Sequence, residues 1–375
     1  MEKDDGKDSK GEILNKILSI IRRWGLKYSE DDRKKMESYM RSDNKEKHSF
    51  LNPYLYHLRK LLVELEVTDG EDEMITGDFL SSGIVCFYGS ILFEHISMKG
   101  DIKEENIEIL FSYASLYMIL DHYLDNPKID VIDKTQFKGK IILLFHMIDK
   151  NQDIMGKGDD MMKILGCERT SSFYRHMKVI VIRLRFVLEK RPNVIGYLKK
   201  VLEWEMRGMI IQRDPNHSRK IYLDVAMEKG GRTVQAIRHL FEKKERNERN
   251  EENEDERADR DSFNLGACIQ LVDDLIDLND DRRDKINTII THDKSHNGIL
   301  GTILYICRYI SLLPEDYYIF KFVLVSGVAY SMLNPEIKID GRIRDLIKEY
   351  CPIKIQGAQN LLNEVIRHQL FKKDI

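Results

Sequence analysis

Two groups of aspartates are spaced to do chemistry. Asp121 and Asp125 close the segment LDHYLD, residues 120–125. Asp273, Asp277 and Asp281 recur at the same four-residue interval within CIQLVDDLIDLNDDRRD, residues 268–284. On a helix, positions i and i+4 share one face with Cβ atoms roughly 5–6 Å apart, so each group forms a carboxylate stripe. Like charges at this spacing cost a helix roughly a few tenths of a kcal/mol per pair. Burial multiplies that cost unless a cation compensates it. Leu271, Leu275 and Leu278 alternate with the second group, and the preceding turn is apolar apart from Gln270. The acids therefore extend a helix that is expected to be buried.

Oxygen-only donors select hard cations. No Cys/His set accompanies the acids, which disfavours zinc. None of the eleven histidines follows a glutamate by three residues, as a di-iron bundle would need. Magnesium takes one or two carboxylates per ion, keeps waters, and completes its shell with substrate phosphates. Two acidic helices facing each other would thus hold a diphosphate through Mg²⁺. A third element, MEKGGRT at residues 227–233, places Gly230 and Gly231 side by side in a helical stretch. Glycine inside a helix costs about 1 kcal/mol against alanine, so the adjacent pair within the helix expected near 218–244 invites a functional explanation, such as a local break. Such a break would aim Lys229 and Arg232 inward, the lysine as a point charge and the arginine as a fork for phosphate oxygens.

The elements that must position these residues read as helices. Proline is scarce, with seven in 375 residues, and short runs alternating Val, Ile or Thr with polar residues are missing. Apolar stripes at helical spacing recur instead, such as Ile13, Ile17, Ile20, Ile21 and Trp24, or Ile107, Leu110, Ala114, Tyr117 and Leu120. With Gly70, Gly100, Pro127, Pro192, Pro215 and Pro314 as breakers, helices are expected near 11–26, 46–67, 77–99, 104–125, 135–150, 168–190, 193–213, 218–244, 260–281, 297–312, 315–333 and 354–372. Several are apolar around most of their girth, which places them inside a many-helix bundle. The expectation is an all-α chain: a disordered stretch at 1–10, then a single helical domain over 11–375. Residues 242–261, EKKERNERNEENEDERADRD, form a charged segment read as a solvated helix extension or mobile loop.

Bulk composition narrows the function classes. Sixty basic and 63 acidic residues give a net charge of −3, so nothing global favours nucleic acid or an anionic membrane. The five cysteines lack any CxxC spacing and read as reduced, buried thiols in a cytoplasmic setting. The N-terminal MEKDDGKDSKGE has neither a signal-peptide core nor transit-peptide character. The most apolar stretch, Tyr317 to Leu333, contains Lys321 and is short for a membrane span.

Taken together, the pattern resembles the class I isoprenoid synthase superfamily. QLVDDLID, residues 270–277, resembles the Q-x-x-D-D-x-x-D second aspartate-rich motif of prenyl diphosphate synthases. Asp273, Asp277 and Asp281 also match the spacing of the N-x3-S-x3-E metal motif of terpene synthases. LDHYLD is similar to the first acidic motif in its D-x3-D form. The order and the 273 − 121 = 152 residue separation agree with the family, as does Lys229 at 273 − 229 = 44 residues before Asp273. The resemblance covers roughly residues 80–335. It implies one large antiparallel helical bundle around a central apolar cavity. It further implies that Asp121 and Asp125 bind two Mg²⁺ ions and that Asp273, Asp277 and Asp281 bind a third, with Asp274 and Gln270 in support. Lys229 and Arg232 would contact the diphosphate. Phe111, Tyr113 and Tyr117, on the same helix as the first acids, would line the cavity and shield a carbocation.

Several family features are missing. No Gly-Gly-Lys-Arg-like motif occurs before residue 80, and Asn126-Pro127-Lys128 stands where paired arginines follow the first motif of elongases. His122 replaces an acid, and Ile276 occupies the Arg place of the squalene-synthase motif. With one diphosphate site evident, the expected activity is that of a terpene synthase, which cyclises or eliminates a single prenyl diphosphate. A trans-prenyl diphosphate synthase, a head-to-head prenyltransferase and a catalytically silent prenyltransferase-like subunit are the alternatives. The expected partner is the prenyl diphosphate substrate; a homodimer is compatible with the resemblance, and neither nucleic acid nor a membrane span is expected.

Overall fold

The computed structural model describes residues 10–25, 56–57, 61, 104–125, 129–149, 158–171, 173–241, 251–293, 295–337 and 339–350. Every regular element among the described residues is helical. The α-helices are α1 (Lys10–Gly25), α2 (Glu104–Asp125), α3 (Val131–Asp149), α4 (Gly158–Ile164), α5 (Tyr174–Lys190), α6 (Ile195–Arg213), α7 (Arg219–Leu240), α8 (Glu251–Ile276), α9 (Leu278–Asp284), α10 (Ile289–His292), α11 (His296–Leu312), α12 (Tyr318–Met332) and α13 (Gly341–Tyr350). Two 3-10 turns, Pro192–Val194 and Glu315–Tyr317, precede α6 and α12. The described residues are thus all-α.

Two compact units make up the chain. The first comprises residues 1–41, 207–235 and 245–358; the second comprises 42–206, 236–244 and 359–375. In the first, α8 packs along α12 and α11, and α1 rests on α11, α12 and α13. Its core is formed by Ile17 and Ile21 of α1, Leu265, Cys268, Leu271 and Leu275 of α8, Ile303, Ile306 and Ile310 of α11, and Val328 and Met332 of α12, all buried. The apolar α12 is thus a core helix. Its Lys321 is 1 % exposed and reaches Glu315 with its ammonium at 3.3 Å. Among the described residues no helix is long and apolar enough to cross a membrane. In the second unit α5 is the central element, packed by α2, α3 and α4. Leu110, Ala114 and Ile119 of α2 are buried there, as are Phe137 and Ile141 of α3 and Met177, Ile180 and Leu184 of α5.

Most helices fall where periodicity places them, and the differences have local causes. The helix expected over 168–190 begins only at Tyr174, and a separate α4 precedes it. Gly166 adopts φ 60°, and the Gly166 and Cys167 amides donate to the Lys163 and Met162 carbonyls at 2.9 Å. That is a Schellman ending, which stops α4 and turns the chain. Helix α13 was not anticipated. At the other end of the charged run, α8 starts at Glu251, nine residues before the expected 260. Acids at 251, 252 and 254 suit a helix N-terminus. The helices expected at 77–99 and 354–372, nearly all of 46–67, and residues 1–9 and 242–250 lie outside the described residues.

The helix expected over 218–244 forms as α7, with Gly230 and Gly231 inside it. They do not break α7, which runs unbroken from Arg219 to Leu240. Instead they let α7 touch α8. A Cβ on Gly230 would strike the Gly266 carbonyl oxygen and lie 2.8 Å from the Gln270 Cβ. One on Gly266 would strike the Gly230 carbonyl, and one on Gly231 would strike the Phe263 ring. The helix-propensity cost of glycine is offset by backbone-to-backbone packing. Gly230→Ala or Gly266→Ala is therefore expected to destabilise the protein by more than about 2 kcal/mol. Gly139→Ala, in the middle of α3 with nothing within 4 Å of the new methyl, should stabilise it by about 0.5–1 kcal/mol. Denaturant unfolding followed by circular dichroism compares the three. Equal midpoints would disprove the interlock.

Candidate functional site

The C-terminal turns of α8 carry Gln270, Asp273 and Asp274; Asp277 joins α8 to α9, and Asp281 lies within α9. The expected single helix bends here, because Asp277 takes φ −84°, ψ 7°. The ladder nevertheless continues across the bend: the Asp277 amide donates to the Asp273 carbonyl at 2.9 Å, and Asp281 to Asp277 at 2.8 Å. The i, i+4, i+8 register of the three acids is therefore preserved on the backbone. Leu271, Leu275 and Leu278 are fully buried beneath it. Asp273 and Asp277 reach solvent, while Asp281 is half-buried.

Asp274 points the other way. It is 5 % exposed. One carboxylate oxygen accepts from the Gln270 amide at 3.0 Å. The other, Oδ2, is buried with no hydrogen-bond partner. Burial raises the Asp274 carboxyl to about 7, helped by the neighbouring Asp273 and opposed by the Gln270 bond and the charge of Lys229. Asp273 is also raised, by the protein around it, and Lys229 again opposes the shift. An acid that keeps solvent access while crowded by protein, beside a second acid with an unsatisfied oxygen, is a setting that favours cations.

Lys229 supplies one positive charge already. It is 7 % exposed, in the middle of α7. Gly230, the next residue, abuts Gln270, which in turn binds Asp274. The interlock of α7 on α8 thus sets the lysine against the acids without the helix break that the sequence had implied. Arg232 is differently engaged. It donates to Glu228 at 2.7 Å and to Gln235 at 2.9 Å, with its guanidinium 5.2 Å from the Phe263 ring centre. Gln235 continues to the Asp259 carbonyl at 3.1 Å. Arg232 is therefore held along α7 and over α8.

The first acidic group lies in the second unit. Asp121 and Asp125 fall in the last turns of α2; their side chains, and that of Tyr117, lie outside what the structure describes. Between them Tyr123 is buried, its ring 4.3 Å from Phe137 and 5.2 Å from His176, centre to centre. Phe111 is fully buried, its ring stacked on His57 at 5.2 Å and its centroid 5.8 Å from the Arg183 guanidinium carbon. Tyr113 is buried as well. His176 and Arg183 of α5, beyond the residues expected at the site, are also buried, 9 % and 3 % exposed. Two basic residues at i, i+7 among the apolar Val179, Ile180, Leu184 and Val187 were the available signal.

Among the described residues, no three His, Cys, Asp or Glu side chains are grouped so as to hold a metal ion by themselves. The three cysteines described, Cys167, Cys268 and Cys307, are free and buried. No protein-family model matches the chain, and no curated protein matches it either.

The Asp274 environment has a measurable consequence. From pH 4 to 7 the folded chain holds a proton there that the unfolded chain releases, so folding stability falls as pH rises through this window. The slope is at most about 1.4 kcal/mol per pH unit. Asp274→Asn should flatten it, leaving the variant favoured over the wild type more strongly at pH 7 than at pH 5. Parallel slopes in urea-midpoint measurements would contradict this placement of Asp274.

Proposed function

We propose that the chain is a magnesium-dependent class I isoprenoid enzyme, and specifically a terpene synthase that ionises a prenyl diphosphate in a single-substrate reaction in the cytoplasm. The observation that carries the reading is the juxtaposition in the first unit. Three acids keep an i, i+4, i+8 register on α8 and α9. The charge of the buried Lys229 acts on Asp273, and Oδ2 of the adjacent Asp274 lacks a hydrogen-bond partner. The motif order described above, with Asp121 and Asp125 ending a largely buried helix, adds to it.

The donors fit magnesium in kind. They are all carboxylate oxygens, and a Mg²⁺ site needs only one or two of them, the rest coming from water and phosphate. Asp273, Asp277 and Asp281 would hold one ion, and Asp121 and Asp125 two more. When bound, these ions act as Lewis acids that neutralise charge on the leaving group.

The remaining work falls to the chain itself. The Lys229 ammonium faces the diphosphate oxygens as the carbon–oxygen bond breaks and the electron pair leaves with pyrophosphate. Gln270 and Asp274 fix the acids from behind. The reading further requires an apolar enclosure that would keep water from the allylic cation, the part that the resemblance gives to Phe111, Tyr113 and Tyr117. The cation, with or without cyclising, then loses a proton to give a hydrocarbon, or adds a water that gives up a proton to leave an alcohol. Arg232 contributes by closing α7 over Phe263 and by adding positive field.

Purified protein incubated with Mg²⁺ and geranyl, farnesyl or geranylgeranyl diphosphate should release pyrophosphate and a hydrocarbon or alcohol without isopentenyl diphosphate. A longer diphosphate formed only with isopentenyl diphosphate would make it an elongase; no turnover with any chain length would make it a silent subunit. Asp121→Ala and Asp277→Ala should each lower turnover at least ~10²-fold while leaving the helical circular dichroism intact.

A further inference from the structure

Gly208 lies on α6, opposite the stem of Lys229. A Cβ built on Gly208 would lie 3.0 Å from the Lys229 Cδ and 3.2 Å from the Val225 Cγ1. Gly208 is itself buried. A glycine in the interior of a helix costs stability unless something uses the missing side chain, and here the lysine stem occupies that space. The next residue of α7, Gly230, abuts Gln270 of the Asp274 helix. The Lys229 stem thus rests against Gly208 of α6, and its charge acts on Asp273 and Asp274 at the end of α8.

We propose that Gly208 is a positioning residue: its bare backbone forms the slot that holds the Lys229 stem, so that the ammonium is the resident counter-ion of Asp273 and Asp274 before any divalent cation arrives. A long flexible lysine would otherwise spread over many rotamers. The slot removes that freedom and keeps one positive charge beside two carboxylates that burial would leave poorly compensated. A divalent ion must then compete with an ammonium already in place, and productive loading needs the diphosphate, whose oxygens give Lys229 a new partner. The inference rests on the reading of Asp273 as a cation ligand, and not on which isoprenoid is turned over.

Two measurements on the full chain test it. The first is calorimetric titration of Mg²⁺ alone, without diphosphate. Lys229→Met should tighten Mg²⁺ binding by roughly tenfold, because a like charge is removed. Gly208→Val, which fills the slot and displaces the stem, should shift affinity in the same direction. Unchanged affinity in both variants would overturn the counter-ion role. Failure of every protein to take up Mg²⁺, both alone and with inorganic pyrophosphate added, would overturn it together with the cation reading of Asp273, whereas normal Mg²⁺ uptake without pyrophosphate release from a prenyl diphosphate would sink only the proposed terpene chemistry.

The second measurement reads the slot itself through thermal unfolding. Gly208→Val should lower Tm by ~3–6 °C in the wild-type background. The loss should be clearly smaller in Lys229→Ala, where the stem no longer needs the space and only Val225 and Gln212 still meet the new side chain. The same loss in both backgrounds would show that the glycine serves something other than Lys229.

Discussion

The contact on which the candidate site depends is the one between the backbones of Gly230 and Gly266. Two helices can approach this closely only where neither carries a side chain, and here each glycine's carbonyl occupies the place of the other's missing methyl. Gln270, one turn beyond Gly266, is brought against Gly230 by the same contact, and Lys229 is its neighbour in sequence. The position of a positive charge beside Asp273 and Asp274 is thus fixed by packing of main chain. Phe263 reinforces it, filling the space over Gly231 and giving Arg232 an aromatic face.

From this contact follow the unusual electrostatics. Helix α8 is buried along Leu265, Cys268, Leu271 and Leu275, so an acid placed on its inner side must be neutral, paired or compensated. Asp274 shows what happens when compensation is partial: one oxygen is bonded, the other is not, and the carboxyl is raised to about 7. Asp273, one residue earlier, keeps access to solvent and still feels Lys229. Adjacent aspartates on one helix, about 100° apart, thereby occupy different roles. One faces water, where an ion can reach it, and the other stiffens the site from within.

Much of the fold was legible in the sequence because apolar periodicity reports directly on which helix face is buried. Helix α2 falls at 104–125 as expected, and α11 and α6 agree within a residue or two. Turns dictated by backbone conformation were harder. The left-handed Gly166 that ends α4 has no signature beyond the glycine itself, and the stretch before it lacks a long apolar stripe. The register of Asp273, Asp277 and Asp281 was also legible, since i, i+4 spacing survives even a bend that leaves the hydrogen-bond ladder intact. The glycine pair misled for a physical reason. Propensity counts what a glycine costs its own helix, whereas Gly230 and Gly231 are explained by what they allow a second helix to do. Gly208 was invisible on the same grounds, because only the path of the Lys229 stem gives it meaning.

The proposal that both acidic groups serve one diphosphate is most directly tested by a crystal structure of the protein with Mg²⁺ and inorganic pyrophosphate. Divalent ions bridging the pyrophosphate to Asp121 and Asp125 on one side and to Asp273 and Asp277 on the other, with the Lys229 ammonium turned to a phosphate oxygen, are the expected result. Pyrophosphate absent from this place, or ions held by one acidic group while the other faces bulk solvent, would contradict it.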